Sequence, residues 1–428
     1  INGYQYGFDR YLDERWRTTI GSSEKIGWNM AKTDNSLLPK RLRVVIAGGG
    51  TGGHLFPGIA IAEAFYEKIP DCKVLFIGTD RPFEKTILAE KEFDHETIFV
   101  QAFKGKALWS KLTAVVVFPW AVYQAARKIR NFGANLVVGV GGYSAAPVAV
   151  GAWIMGIRVV IHEQNILPGM TNRLLARLAS RIYVSFENTR MPGDPKKIRL
   201  SGNPVRQEVL SLAGQRPPRS RSGQHRLTVM ILGGSQGAHS INLAVAAALD
   251  ELADTTDLYF IHQTGTADEM DMKAAYARHQ VPCRVKVFFK DIASEYAQAD
   301  LLICRAGATT VAEAAVLGKA CLFIPYPFAA ENHQELNARV LVKDGAAGMI
   351  LEKDLNGRTL ARLIQYYLTH HQALIYMADR VRAFGRPDAA IDIVNDCLNV
   401  IAKKHLLALL LLGLSGLKWK RSSRGLKF

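Results

Sequence analysis

The chain has 428 residues, 49% of them hydrophobic and 21% charged, the composition of a globular protein with room for two separate cores. Its net charge of +16 asks for an anionic partner such as nucleic acid, anionic lipid or a phosphorylated substrate, or else marks a merely basic protein. The five cysteines (Cys72, Cys283, Cys304, Cys321, Cys397) are far apart and form no CxxC pair, so they argue against a disulfide framework and read as reduced, mostly buried thiols.

The first residues are polar and charged and do not read as a secretory signal. Met30-Ala31-Lys32 reads as a natural start just before the first strand, which makes residues 1–29 an upstream extension. Strands are then expected at Arg43–Ala47, Lys73–Ile77, Thr97–Val100, Leu136–Val140, Val159–His162 and Arg181–Val184, with helices between them. Continuous apolar strands alternating with helices indicate a parallel sheet covered on both faces. The polar, basic stretch Gly214–His225 reads as a loop, with a hinge near Gly202-Asn203-Pro204. The theme then restarts at Leu227–Leu232 and continues through Leu258–Gln263, Val285–Phe289, Leu301–Cys304 and Cys321–Ile324. Two α/β domains facing one another place a ligand in the cleft between them. The tail from Lys403 is leucine-rich at Leu406–Leu417 and basic beyond it. That run is too short to span a bilayer and reads as an interfacial anchor or as a helix packed on the body.

Glycine-rich turns follow three of the strands. The first, Gly48-Gly49-Gly50-Thr51-Gly52-Gly53-His54, leads to Pro57, which suits the first turn of a helix. Glycine there permits positive φ and close approach to a phosphate. The spacing Gly48, Gly50, Gly53 also fits a dinucleotide site with Asp80 on the ribose. The second turn is Gly141-Gly142-Tyr143-Ser144. The third, Gly233-Gly234-Ser235-Gln236-Gly237, reads as a second phosphate loop and matches the nucleophile elbow G-x-S-x-G. In Arg305–Glu313, Thr310 and Glu313 have capping-box spacing, which is compatible with Glu313 accepting from ribose hydroxyls. His162-Glu163-Gln164-Asn165 ends an apolar strand where ligands of parallel sheets bind, or forms a structural network there. Ala330-Glu331-Asn332-His333-Gln334 and Asn337 form a similar polar cluster before a helix. With neither HExxH nor DxD present, no metal is expected, and helix dipoles and N–H groups are left to stabilise a leaving diphosphate. Finally, Phe103–Arg130 interleaves Trp109, Phe118 and Trp120 with lysines and arginines, which suits an anionic bilayer or, for its valines, ordinary core.

Taken together, IAGGGTGGHLFPGIAIAEAF, VGVGGYSAAP, IHEQNILPGMTNRLLARLA, GNPVR, ILGGSQGAHSIN, RAGATTVAEAAVLGKACLFIP and ENHQELNA resemble the MurG family over residues 43–400. The resemblance implies a GT-B fold, two Rossmann-like α/β domains facing across a deep cleft. It divides the chain into an extension (1–42), an acceptor and membrane domain (43–205), a donor domain (206–380), a helix crossing back to the first domain (381–403) and a basic tail (404–428). It implies inverting transfer of N-acetylglucosamine from UDP-N-acetylglucosamine to the 4-hydroxyl of lipid I, giving lipid II for peptidoglycan. The enzyme would act at the cytoplasmic face of the bacterial inner membrane, with no cofactor and no nucleic acid, and with other cell-wall synthesis proteins as further partners.

Another GT-B transferase with a glycolipid or small acceptor is the alternative. Carried over, the donor contacts fall on Thr51, Gly52, Gly53, Asn165, Arg206, Ser235, Gln236, Gly237, Ile292, Ala308, Thr309, Thr310, Val311, Ala312, Glu313 and Gln334. The acceptor diphosphate falls on Gly50, Gly141, Gly142, Tyr143 and Ser144. The proton of the attacking hydroxyl goes to a base, His54 first, with His162 and Glu163 as second choices.

Overall fold

A computed structural model describes residues 38–39, 41–100, 108–214, 226–234, 237–253, 255 and 257–403. The Met30 start, Phe103 to Lys106, the basic loop at 215–225, Ser235, Gln236 and the leucine-rich tail lie outside them, as do the side chains of residues 108–116.

The Val/Ile/Leu runs have no polar face, so each must be covered on both sides. In the first sheet, β1 (Arg43–Ala47), β2 (Lys73–Gly78), β3 (Asp94–Thr97), β4 (Leu136–Gly139), β5 (Arg158–Glu163), β6 (Arg181–Val184) and β7 (Ile198–Leu200) lie in the order β3-β2-β1-β4-β5-β6-β7. In the second, β8 (Leu227–Leu232), β9 (Leu258–Gln263), β10 (Cys283–Lys286), β11 (Leu301–Cys304), β12 (Ala320–Phe323) and β13 (Gly348–Met349) lie in the order β10-β9-β8-β11-β12-β13. Every pairing described is parallel; Val44 faces Val74 on one side and Leu136 on the other. Both sheets are therefore doubly wound, and in each the order reverses beside the strand that precedes a glycine loop. A crevice opens there at the strands' C-terminal ends.

The differences from the sequence reading fall at sheet edges. β3 is the polar run Asp94–Thr97, not Thr97–Val100, and β10 is Cys283–Lys286, not Val285–Phe289. Each pairs on one side only, so neither needs an apolar sequence, and the apolar residues beyond them pack elsewhere; Phe289 is buried in a core cluster of the second sheet. β7 and β13 are too short to leave a periodic signal.

One face of the first sheet buries Val44, Ile46, Phe76 and Val138 against Ile59, Ala62 and Phe65 of the helix Gly52–Lys68. A helix over residues 389–403 adds Ile393, Val394, Cys397 and Ile401 to that same cluster. Asp396 fixes the helix by accepting from Arg181 Nε at 3.0 Å and from the Tyr183 hydroxyl at 3.0 Å, both on β6. Cys72, Cys304, Cys321 and Cys397 are buried free thiols, and burial pushes the Cys397 thiol up to about 12.

Removing the Asp396 carboxylate leaves a buried phenol and a half-buried guanidinium without their acceptor. Asp396→Ala is expected to cost about 1–3 kcal/mol in denaturant unfolding, with Asp396→Asn losing less. An unchanged transition midpoint in the alanine variant would contradict this role for Asp396.

Candidate active site

The crevice of the first sheet is floored by two glycine loops in backbone contact. Gly48, Gly49 and Gly50 have φ of +132°, +144° and +85°, and Gly141 and Gly142 have +90° and +80°. A β-carbon on Gly48 would lie 2.3 Å from the Gly141 carbonyl oxygen, and one on Gly142 would lie 2.9 Å from that of Gly49. Behind the loop sits Glu84, which is 1% exposed and comes within 2.6 Å of where a Gly49 β-carbon would be. Its carboxylate accepts from Gly50 N–H at 3.0 Å, Thr79 N–H at 3.2 Å and the Thr79 hydroxyl at 2.9 Å. The Gly50 N–H is therefore engaged by an internal carboxylate. Ser144 is also enclosed. It is 1% exposed, with a buried hydroxyl that has no partner, while Tyr143 and Gly142 stay partly accessible.

The helix begins at Gly52, so Pro57 lies inside it and not in its first turn. Proline lacks the N–H that would reach back to Gly53, and it leaves the Gly53 carbonyl free. Thr309 fills that vacancy from the other half of the protein, its hydroxyl 3.4 Å from Gly53 O. Thr309 belongs to the first turn of the helix Ala308–Leu317, so the two helix N-termini converge on one place. Thr51 and Gly53 are exposed at that place, and Gly52 is partly so.

His54 is half-buried in the first turn. Its ring rests on the second glycine loop, with Nδ1 2.9 Å from the β-carbon position of Gly141. Gln164 Oε1 is 3.6 Å from that same position, and both atoms are buried and without a partner in hydrogen-bond geometry. The Gln164 amide nitrogen donates to Val140 O at 2.7 Å, which turns Oε1 toward the imidazole. Burial pushes the His54 pKa below its ordinary value, opposed by the Glu163 carboxylate and by the Gln164 amide.

The other two candidate bases are held away from the cleft. His162 is wholly buried, with Nε2 3.1 Å from the Gly202 carbonyl, and burial pushes it down to about 4. Glu163 is 1% exposed, and its oxygens accept from Asn165 N–H at 2.9 Å, Gly169 N–H at 3.0 Å and Asn172 Nδ2 at 2.8 Å. Glu163 thus shapes the turn that carries Asn165. That turn meets the second half directly, since Asn337 Nδ2 donates to Asn165 Oδ1 at 3.1 Å and Ile166 N–H donates to Asn337 Oδ1 at 3.1 Å.

On the donor side, Gly307 caps the helix and Thr310 lies within it, which removes the capping-box reading of Glu313. Glu313 is 2% exposed. It accepts from Arg206 Nε at 2.8 Å and Nη2 at 2.6 Å, and from the Tyr296 hydroxyl at 3.0 Å. Burial pushes the Tyr296 phenol well above its ordinary value, so it remains a donor. The Arg206 guanidinium also lies over the Phe56 ring of the helix Gly52–Lys68, 4.4 Å from its centroid. The expected donor residues Arg206 and Glu313 are therefore directly bonded. Ala308, Thr309 and Val311 are buried in the same turn, and Thr310 and Ala312 are partly exposed. Ile292 is buried beside Val209 and Val311, Gln334 accepts from Tyr326 N–H at 3.0 Å, and Gly237 closes a turn to Gly234 O at 3.2 Å.

Sequence reasoning missed Glu84, Phe56, Gln164, Tyr296 and Asn337 as parts of the site. Gln164 and Asn337 stand inside polar clusters that were noticed. Glu84, Phe56 and Tyr296 carry no local signal, because their partners are distant in sequence.

Comparison with known proteins bears on this geometry. Residues 44–184 match the glycosyltransferase family 28 N-terminal domain, and residues 228–393 match the family 28 C-terminal domain. The chain is 42% identical over 361 residues to a Syntrophus aciditrophicus UDP-N-acetylglucosamine–N-acetylmuramyl-(pentapeptide) pyrophosphoryl-undecaprenol N-acetylglucosamine transferase, covering 84% of this chain and 99% of that one. It is 40% identical over 363 residues to the Myxococcus xanthus protein of the same name, covering 85% and 94%. Among solved structures, Acinetobacter baumannii MurG aligns with a TM-score of 0.66 and 30% identity over 84% of this chain and 99% of that one. A Neisseria meningitidis UDP-GlcNAc 2-epimerase shares the fold at a TM-score of 0.59 and 13% identity, covering 84% and 100%. The chain belongs to glycosyltransferase family 28 and, within it, to the MurG family of hexosyltransferases.

Proposed function

We propose that this protein transfers N-acetylglucosamine from UDP-N-acetylglucosamine to the 4-hydroxyl of the muramoyl sugar of undecaprenyl-diphosphoryl-muramoyl-pentapeptide, with inversion. The observation that carries the reading is the meeting of two helix N-termini, one from each sheet, with His54 in the first turn of one of them. Two positive helix ends favour the charge that builds on a departing UDP. The donor's ribose would join the buried Glu313–Arg206–Tyr296 network, with its diphosphate toward Thr309 and Thr310. The names printed for the family relatives support the same donor and acceptor.

His54 is the proposed base. In the tautomer with the proton on Nδ1, on the side of Gln164 Oε1, the lone pair is left on Nε2 for the acceptor's hydroxyl proton. A neutral amide as the orienting partner adds no negative charge, and burial lowers the pKa, so the ring is neutral and competent at physiological pH. His54→Ala is expected to lower turnover on a lipid I analogue by about 10²–10⁴-fold, with UDP binding by calorimetry unchanged. Because the base works unprotonated, activity falls as pH drops through its pKa. The acidic limb should therefore lie below the ordinary 6.5 in the wild type and move upward in Gln164→Glu, where a carboxylate stabilises the imidazolium. Near wild-type turnover in His54→Ala would remove His54 from the mechanism.

The lipid acceptor needs the enzyme at a membrane. Among the described residues no helix is long and apolar enough to cross one. Instead the first half exposes Trp120 (55%), Tyr123, Trp153, Ile154, Met170 and Leu174 on three helices, the middle one (Ala145–Ile154) packing against Leu108–Phe132 and Met170–Leu175. Trp120 and Tyr123 stack at 5.4 Å, and exposed Arg127 follows them on the same helix face. Large apolar side chains beside cations suit peripheral binding to the anionic cytoplasmic leaflet. Trp120→Glu combined with Trp153→Glu is expected to weaken co-sedimentation with phosphatidylglycerol vesicles by about tenfold or more, while donor binding persists. Equal sedimentation of variant and wild type would count against this face.

A further inference from the structure

The first glycine loop has fewer free N–H groups than its sequence suggests, since that of Gly48 already donates to Ile77 O at 3.3 Å. The N–H of Gly50 is spent on Glu84, and that carboxylate collects two further donors from Thr79. With every partner donating, Glu84 fits the acceptor-only, ionised form. A negative charge therefore lies directly behind the loop, with His95 Nε2 3.5 Å away as its imidazole neighbour. An anion arriving on the outer side meets that field and needs a cation of its own.

Arg81 is in position to supply it. It is exposed, and it directly precedes the helix Pro82–Glu90 that carries Glu84. Its Nη1 donates to the Gly50 carbonyl at 2.6 Å, and the guanidinium carbon is 3.9 Å from where a Gly50 β-carbon would stand. One N–H of five is used in that bond. The remainder of a rigid fork, already pinned to the loop, matches phosphate oxygens with little further ordering. Lys85, on the same helix as Glu84, is paired with Asp80.

We propose that Arg81 binds the acceptor's diphosphate at the first glycine loop, in place of the Gly50 N–H. This rests on the lipid-diphosphate acceptor proposed above.

The test uses the full chain with Arg81→Gln and Arg81→Lys. With saturating donor and varied lipid I analogue, Arg81→Gln is expected to raise the acceptor KM roughly ten- to a hundredfold, with the donor KM unchanged and Arg81→Lys intermediate. With the donor site filled by UDP, inorganic pyrophosphate measured by calorimetry should bind the wild type and lose affinity in Arg81→Gln by a similar factor. A glutamine at 81 can still donate to Gly50 O, so a purely structural role would leave the acceptor KM in place; that result overturns the proposal. Equal pyrophosphate affinity in wild type and Arg81→Gln overturns it as well. Wild-type enzyme that binds pyrophosphate through Arg81 yet ignores the lipid I analogue would instead contradict the acceptor reading and leave the anion site standing.

Discussion

The first half of the site depends on a contact that leaves no room for a β-carbon. Gly48 meets the Gly141 carbonyl, Gly142 meets that of Gly49, and both loops hold positive φ. Any other residue at Gly48 must move the second loop, and with it the surface on which the His54 ring rests. The glycines are therefore needed for packing between two strand ends, not chiefly for exposing N–H groups. Glu84 completes the arrangement from behind by holding Gly50 and Thr79 together. The result is a rigid floor at the switch point of the sheet, from which the helix Gly52–Lys68 starts.

The two halves are joined at the base of their cleft by polar side chains whose partners cross between them. Glu163 shapes a turn, the turn offers Asn165 and Ile166, and both engage Asn337. Arg206 bonds Glu313 while lying over Phe56. Thr309 takes the carbonyl that Pro57 releases. Each of these residues also positions another, so a substitution there should disturb the geometry of the cleft.

Much of this was legible in the sequence, and the physical reason is the same throughout. Strands buried on both faces must be continuously apolar, so β1, β2, β4, β5, β6, β8, β9, β11 and β12 could be found by eye. Edge strands β3 and β10 pair on one side only, and their polar residues leave no such run. Local motifs gave the positions of the site but not the directions of its side chains. His162 stands in the right motif and points at the hinge carbonyl of Gly202. Thr310 and Glu313 have capping spacing, yet the helix starts two residues before Thr310 and Glu313 turns to Arg206. Contacts such as Glu84 with Gly50, or Arg206 with Phe56, link residues far apart in the chain and have no periodic trace.

The proposed reaction rests on the identity of the two substrates and the geometry of their meeting. The most direct measurement incubates the full chain with labelled UDP-N-acetylglucosamine and a short-chain lipid I analogue, and reads the new linkage by proton NMR. The account requires a β-1,4 product formed with inversion at the anomeric carbon, with no transfer to diacylglycerol. An α-linked product, or transfer to diacylglycerol in preference to the lipid I analogue, would contradict it.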